Sequence, residues 1–174
     1  MAELELSITN KTIIVIRHAK SDWTTGAADF DRPLLPRGQK DAYAIGSLLE
    51  PYDIDLVWCS AAKRAQETWK RASLGGAHAQ SIDCRRSFYD AWTNSLISEM
   101  ATLDESLSTL AIVNHQPLVG NLVDTLAQPS ALTAQVASHF PTAGVAILAH
   151  QGLWKELHFA SATLLSFTRV RGGT

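Results

Sequence analysis

Cysteine is scarce in this 174-residue chain: there are two, Cys59 and Cys84, with no CxxC spacing. That argues against a disulfide scaffold or a cysteine-based zinc site, and because both lie in or beside apolar stretches they are expected to be buried thiols. An excess of charge of either sign is also lacking. Fifteen Lys and Arg against seventeen Asp and Glu leave a net charge of -2 and a pI near 6.3. There is then no general pull toward nucleic acid or anionic lipid, and any recognition of phosphate must be local. No apolar run approaches membrane-spanning length, and the start Met1-Ala2-Glu3-Leu4-Glu5-Leu6 carries acid where a secretory leader carries base. A cytoplasmic protein with no membrane or nucleic-acid partner is expected. Low-complexity tracts, internal repeats and interdomain linkers are missing too. With 46% hydrophobic and 18% charged residues, a single globular domain over 1–174 is expected.

What is present is organised around Ile13-Ile14-Val15-Ile16-Arg17-His18-Ala19-Lys20. The four apolar residues read as a strand buried on both faces, with Arg17 and His18 at its C-terminal end, where ligands sit in open α/β sheets. Residues 20–33 are small and polar without helical period, a loop over that end. Pro36 opens a helix whose stripe is Ala42, Ile45, Leu48 and Leu49, ended by Pro51. Asp55 to Ser60 repeats the strand pattern, and Ala61 to Trp69 favours helix, which delivers Ser60 and Arg64 to the same edge. Ser81 to Cys84 is a weaker strand. Leu96, Met100 and Leu103 suggest a helix, Thr109 to Val113 is another buried strand ending at Asn114-His115, and Pro117 opens a helix with Leu118, Leu122, Val123 and Leu126. After this the pattern changes: 144–150 and 153–159 read as a hairpin about Gln151-Gly152, and 164–170 as a further strand. Alternating strands and helices predict an α/β, three-layer α/β/α architecture, with a mainly parallel sheet and an antiparallel C-terminal edge. Right-handed crossovers put Arg17, His18, Ser60, Arg64 and His115 on one rim.

That set suits phosphoryl transfer. Charge on a phosphoryl group in flight spreads over three oxygens, which Arg17, Arg64 and His115 can balance, while His18 attacks in line and becomes a phosphohistidine. A group that passes a proton to the leaving atom or takes one from water would help both half-reactions. Asp90 is the candidate, with Asp22, Asp29 and Asp31 as alternatives in the rim loops. Lys20 can extend the positive rim and Trp23 can border the pocket against a substrate ring. His78, His139, His150 and His158 show no metal-ligand spacing, and no carboxylate-rich magnesium site is present, so neither metal nor cofactor is expected.

These motifs resemble the histidine phosphatase superfamily, also called phosphoglycerate mutase-like. Arg17-His18-Ala19 is similar to its Arg-His-Gly signature, Ser60 to Thr68 to its Ser-x-x-x-Arg-x-x-Gln-Thr segment, and His115 to its second catalytic histidine. Arg-His-Ala-Lys-Ser at 17–21, Asp-Phe-Asp-Arg-Pro-Leu at 29–34 and Phe-Pro-Thr-Ala at 140–143 resemble the small SixA-type phosphohistidine phosphatases. The resemblance spans nearly the whole chain and implies a phosphoglycerate mutase-like fold. Two departures stand out. Ala19 replaces a glycine, so its backbone must avoid conformations open only to Gly. Asp90 stands where mutase-type relatives carry a glutamate one methylene longer. Arg64 to Asp90 and Asp90 to His115 are each about 25 residues apart, which leaves little room for a capping insertion. An open rim fits a phosphohistidine-bearing protein as partner; a small phosphomonoester is the alternative substrate, and a non-catalytic phosphate-binding module a third reading.

Overall fold

The computed structural model describes residues 10–173; the acidic start Met1–Leu6, on which the expectation about a leader rests, lies outside the described residues. Ile13, Ile14, Val15 and Ile16 are each at most 1% exposed within strand β1, Asn10–Arg17. Their side chains alternate between two apolar clusters, Ile13 and Val15 on one face and Ile14 and Ile16 on the other. Only a strand covered on both faces can use an unbroken β-branched run this way.

The chain continues through α1 (Pro36–Leu49), β2 (Ile54–Ser60), α2 (Lys63–Leu74), β3 (Ala79–Arg85), α3 (Arg86–Tyr89), α4 (Thr93–Met100), β4 (Thr109–Asn114), α5 (Leu118–Leu126), α6 (Ala131–Ser138), β5 (Gly144–Gln151) and β6 (Ala162–Arg169). The six strands form one sheet in the order β3-β2-β4-β1-β5-β6. The first four are parallel, while β5 pairs antiparallel with β1 and β6 antiparallel with β5. Helices α1 and α2 supply Ala42, Ile45, Leu49, Ala65 and Trp69 to one face, and α4, α5 and α6 supply Leu96, Met100, Leu122, Val123 and Val136 to the other. This is the predicted mixed sheet with its antiparallel C-terminal edge.

Two local expectations are corrected, and one helix was not anticipated. The partner of β5 is β6, and 153–159 is no strand: it holds a 3-10 turn at Trp154–Glu156. Trp154 is fully buried and donates its indole N–H to the Leu107 carbonyl at 2.8 Å, while the Glu105 carboxylate accepts the main-chain N–H groups of Trp154 and Lys155. Those donors are therefore unavailable to a hairpin ladder. Cys59 is buried as expected, but Cys84, in register beside it on edge strand β3, is exposed. Helix α6 has no counterpart in the sequence reading; it is capped by Ser130, whose hydroxyl accepts the Thr133 N–H at 3.1 Å.

Candidate active site

The C-terminal ends of β1 and β4 lie side by side, with Arg17 in register with Asn114. Beyond them opens a cavity of about 310 Å³ lined by Arg17, His18, Lys20, Trp23, Asp29, Arg32, Arg64, His115 and neighbouring residues of the loops. His18 leaves the strand still tied to the sheet: its N–H donates to the Asn114 carbonyl at 2.9 Å and its carbonyl accepts the Ala143 N–H at 3.1 Å. Its ring is 5% exposed. Nδ1 lies 2.8 Å from the Ala19 carbonyl, an acceptor, so the proton of a neutral imidazole sits on Nδ1 and the Nε2 lone pair is left for reaction. Burial, against the opposing pull of the Ala19 carbonyl and with the help of Arg64, Arg17 and His115, pushes the His18 imidazole down to about 3. His18 is neutral at any ordinary working pH.

Arg64 enters from the first turn of α2. Its Nε donates to His18 Nε2 at 3.2 Å, Nη1 to the Asp29 carbonyl at 2.6 Å and Nη2 to Asp29 Oδ2 at 3.1 Å. Thr68, one turn on, joins this helix to the residue after His18: its hydroxyl donates to the Arg64 carbonyl at 2.7 Å and accepts the Ala19 N–H at 3.0 Å. Arg17 donates Nη1 to the Phe140 carbonyl at 2.8 Å, and its buried Nε finds no acceptor among the described residues. Burial and then the charge of Arg64 lower its affinity for a proton. His115 follows Asn114, whose side chain is doubly used: its Oδ1 accepts the His115 N–H and its Nδ2 donates to the Phe88 carbonyl. Burial first, then Arg64, hold the His115 imidazole below its ordinary value. Three guanidiniums, of Arg17, Arg32 and Arg64, and the imidazoles of His18 and His115 therefore line one small cavity, an arrangement able to bind an oxyanion and present a nitrogen nucleophile to it.

Of the other expected site residues, Ser60 and Asp90 lie outside the cavity lining while Lys20 and Trp23 belong to it. Ser60 is fully buried and outside the cavity lining; its hydroxyl accepts the Ala62 N–H at 3.2 Å and shapes the turn into α2. Asp90 is also outside the lining. Its side chain is 64% exposed, with Oδ2 3.8 Å from Arg86 Nε. Lys20 does line the cavity. Trp23 is 72% exposed at the mouth, with the Arg32 guanidinium 3.6 Å from its ring centre. Of the alternative carboxylates, Asp29 alone lines the cavity; Asp22 accepts hydrogen bonds from Thr24 on the loop.

Sequence reasoning gave no role to Arg32, Tyr89, Gln116 or Thr142. Arg32 and Thr142 stand within the 29–34 and 140–143 segments singled out as family-like, which was the available signal. Ala19 does not adopt a positive φ, so its position does not require a glycine; among the described residues Ala143 and Ala160 are the non-glycine residues at positive φ, 57° and 54°. Among the described residues no three His, Cys, Asp or Glu side chains come together as a metal site, and no helix is long and apolar enough to cross a membrane.

The profile of the histidine phosphatase superfamily (branch 1) matches residues 13–164. An uncharacterized protein of Mycobacterium tuberculosis is 35% identical over 158 residues, which are 87% of this chain and 98% of that one. Among solved structures, a protein of Nakamurella multipartitia proposed to be the phosphohistidine phosphatase SixA superposes with a TM-score of 0.80 at 25% identity, covering 92% of this chain and 96% of the other. Its counterpart from Agrobacterium tumefaciens, likewise proposed to be SixA, gives 0.75 at 26% identity over 91% and 97%.

Proposed function

This chain belongs to branch 1 of the histidine phosphatase superfamily, and from that premise we propose that it is a metal-independent phosphatase that works through phosphorylated His18 and acts on phosphohistidine in a protein partner. In the first half-reaction Nε2 of His18 attacks phosphorus in line, the bond from phosphorus to the substrate imidazole breaks, and that imidazole leaves with the electron pair. Arg17, Arg64 and His115 balance the charge on the phosphoryl oxygens. The Ala19 carbonyl, already 2.8 Å from Nδ1, stabilises the imidazolium formed when Nε2 becomes bonded to phosphorus. Water then attacks phosphorus, inorganic phosphate departs, one proton is lost to solvent, and neutral His18 returns.

The observation that carries the substrate class is how the rim's proton carriers are committed. Partial desolvation works against it, but hydrogen bonds from Tyr89 and Arg32 and the charge of Arg64 hold the Asp29 carboxyl well below the usual carboxylate range. Asp90 is outside the cavity lining and faces Arg86, and burial, then the charge of Arg64, lower the affinity of His115 for a proton. An alkoxide leaving from an ester needs a proton in the transition state, whereas an imidazole leaving from protonated phosphohistidine departs neutral. A cavity lined by a carboxylate held in its charged form, that of Asp29, suits the second. The names of the two similar SixA structures support the same class, and the exposed Trp23 at the open mouth suits a macromolecular partner.

The test is turnover of a phosphohistidine peptide beside a panel of alkyl and aryl phosphates, with rapid quench for a phosphoenzyme. The expected result is preferential turnover of the peptide and an acid-labile, base-stable label absent from His18→Ala. Preference for an alkyl phosphate would favour the small-molecule phosphomonoesterase instead. Binding without turnover of any substrate would indicate a phosphate-binding module.

A further inference from the structure

We infer that Asp29 is the positioning residue of this site: its carboxylate, braced by Tyr89 and Arg32, anchors the far side of the Arg64 guanidinium and so aims its Nε edge at His18. The inference rests on the phosphatase reading for its kinetic consequences but not for its geometry. An arginine side chain has many rotamers of similar energy, so a guanidinium that must meet a phosphoryl group in one orientation needs something to hold it. Asp29 meets Arg64 twice, through its main-chain oxygen at 2.6 Å and through Oδ2 at 3.1 Å. With Nη1 and Nη2 each committed to Asp29, the Nε–H points at His18 Nε2, 3.2 Å away. An entering phosphoryl group would meet that edge as it reaches the nucleophile.

The anchor is itself anchored. The Tyr89 hydroxyl donates to Oδ2 at 2.7 Å, and Arg32 Nη1 donates to Oδ1 at 2.6 Å. Arg32, 6% exposed, is fixed in turn by its Nε–H to Ser21 Oγ at 2.9 Å and by the Trp23 ring. Tyr89 packs edge-on against Phe30, with centroids 5.0 Å apart, and lies against the His115 ring at 5.5 Å. Both oxygens of Asp29 are thus engaged by donors from three separate segments. A carboxylate so held is an acceptor only, which separates this role from that of a proton donor.

The experiment compares kcat and KM for wild type, Asp29→Ala, Asp29→Glu, Arg64→Ala and the double Asp29→Ala/Arg64→Ala, on a phosphohistidine peptide and on aryl phosphates graded in leaving-group pKa. Asp29→Ala is expected to lower kcat by about ten- to a hundredfold with a smaller change in KM, equally across the aryl series, and Asp29→Glu to restore part of the loss. In the Arg64→Ala background the same substitution should cost less than about threefold, because the group it positions is gone. A loss that grows with leaving-group pKa would make Asp29 a general acid and overturn the assignment. Additive losses would reduce it to a loop-folding residue. Faster turnover with tighter tungstate binding in Asp29→Ala would make the carboxylate a competitor for the phosphoryl site, also overturning it.

A readout independent of turnover uses ¹⁵N-arginine labelling, with the Arg64 Nε–H signal assigned by its loss in Arg64→Lys. That proton should be protected from exchange in wild type and lose its protection in the conservative Asp29→Asn. Unchanged protection in Asp29→Asn would overturn the anchor even in an active enzyme, whereas failure of every phosphorylated substrate with wild-type protein would remove the proposed function and leave this arm standing.

Discussion

Burying His18 in neutral form makes folding stability depend on pH in a window set by one residue. Unfolded, the imidazole has its ordinary value of 6.5; folded, at 5% exposure, burial pushes it down to about 3. Between those values the unfolded chain binds one more proton than the folded one, so stability falls as the pH falls. The contribution is whole above 6.5 and is lost progressively down to about 3. At pH 5 the displacement below 6.5 is about one and a half units, and at about 1.4 kcal/mol per unit the loss is on the order of 2 kcal/mol. His115, also held low, adds to the wild-type slope in the same direction, and Asp29 adds a loss only below its ordinary value of 3.8. The difference between wild type and His18→Gln isolates His18, because the other groups are common to both. Urea unfolding of both proteins at pH 7.5, 6 and 5 should show wild type losing about 2 kcal/mol more than the variant across that range. Parallel losses at all three values would refute the neutral, desolvated imidazole and with it the tautomer assigned to the nucleophile.

Two further outcomes follow from other parts of the site. On the proposed reaction, in which Arg17, Arg64 and His115 take the electrostatic role a metal would have, exhaustive chelation should leave turnover intact; inactivation reversed by adding back a divalent ion would contradict this. Gly38→Ala in α1 puts a Cβ 2.1 Å from the Lys20 carbonyl oxygen, a main-chain atom of the site loop. Despite the gain in helix propensity, a net destabilisation of about 1–3 kcal/mol is expected in urea unfolding, with a fall in activity as the loop shifts.

The strand ends were legible because two simple rules coincide there. A β-branched run identifies a doubly covered strand, and the parallel topology puts the residue after each run on the same rim, which is how Arg17, His18 and His115 could be placed together without coordinates. Arg64 came from the first turn of the following helix by the same logic. Ser60 obeyed the rule and still lies outside the cavity, because a hydroxyl at a strand end can serve the local backbone as readily as a ligand, and here it accepts the Ala62 N–H. The 153–159 segment alternates acceptably for a strand, but its N–H donors are claimed by Glu105, some fifty residues earlier, and no local period records that. The same holds for the supports of Arg64: Asp29 is 35 residues before it and Tyr89 is 60 residues after Asp29. Asp90 was chosen by position relative to a family pattern; one residue earlier, Tyr89 turns toward the cavity network while Asp90 turns toward Arg86.

On the proposed reaction, the two arginines act on His18 in opposite senses before and after transfer. Before it, their charges help to keep a proton off the ring and so preserve the Nε2 lone pair, although burial does more of that work. In the transition state the same charges face the phosphoryl oxygens, where they stabilise rather than oppose. After transfer the ring is an imidazolium with a phosphoryl dianion on Nε2, and the nearest compensation on its other side is the Ala19 carbonyl, 2.8 Å from Nδ1. That carbonyl belongs to a peptide unit no substitution can remove, but its residue is held by the Ala19 N–H donated to Thr68 Oγ1, and Thr68 in turn donates to the Arg64 carbonyl. One hydroxyl on α2 therefore couples the residue whose carbonyl stabilises the phosphorylated ring to the backbone of the arginine that faces the phosphoryl oxygens. The nucleophile and its electrostatic partner are aligned through the helix itself, and Asp29 is left to fix only the guanidinium at the end of a flexible side chain.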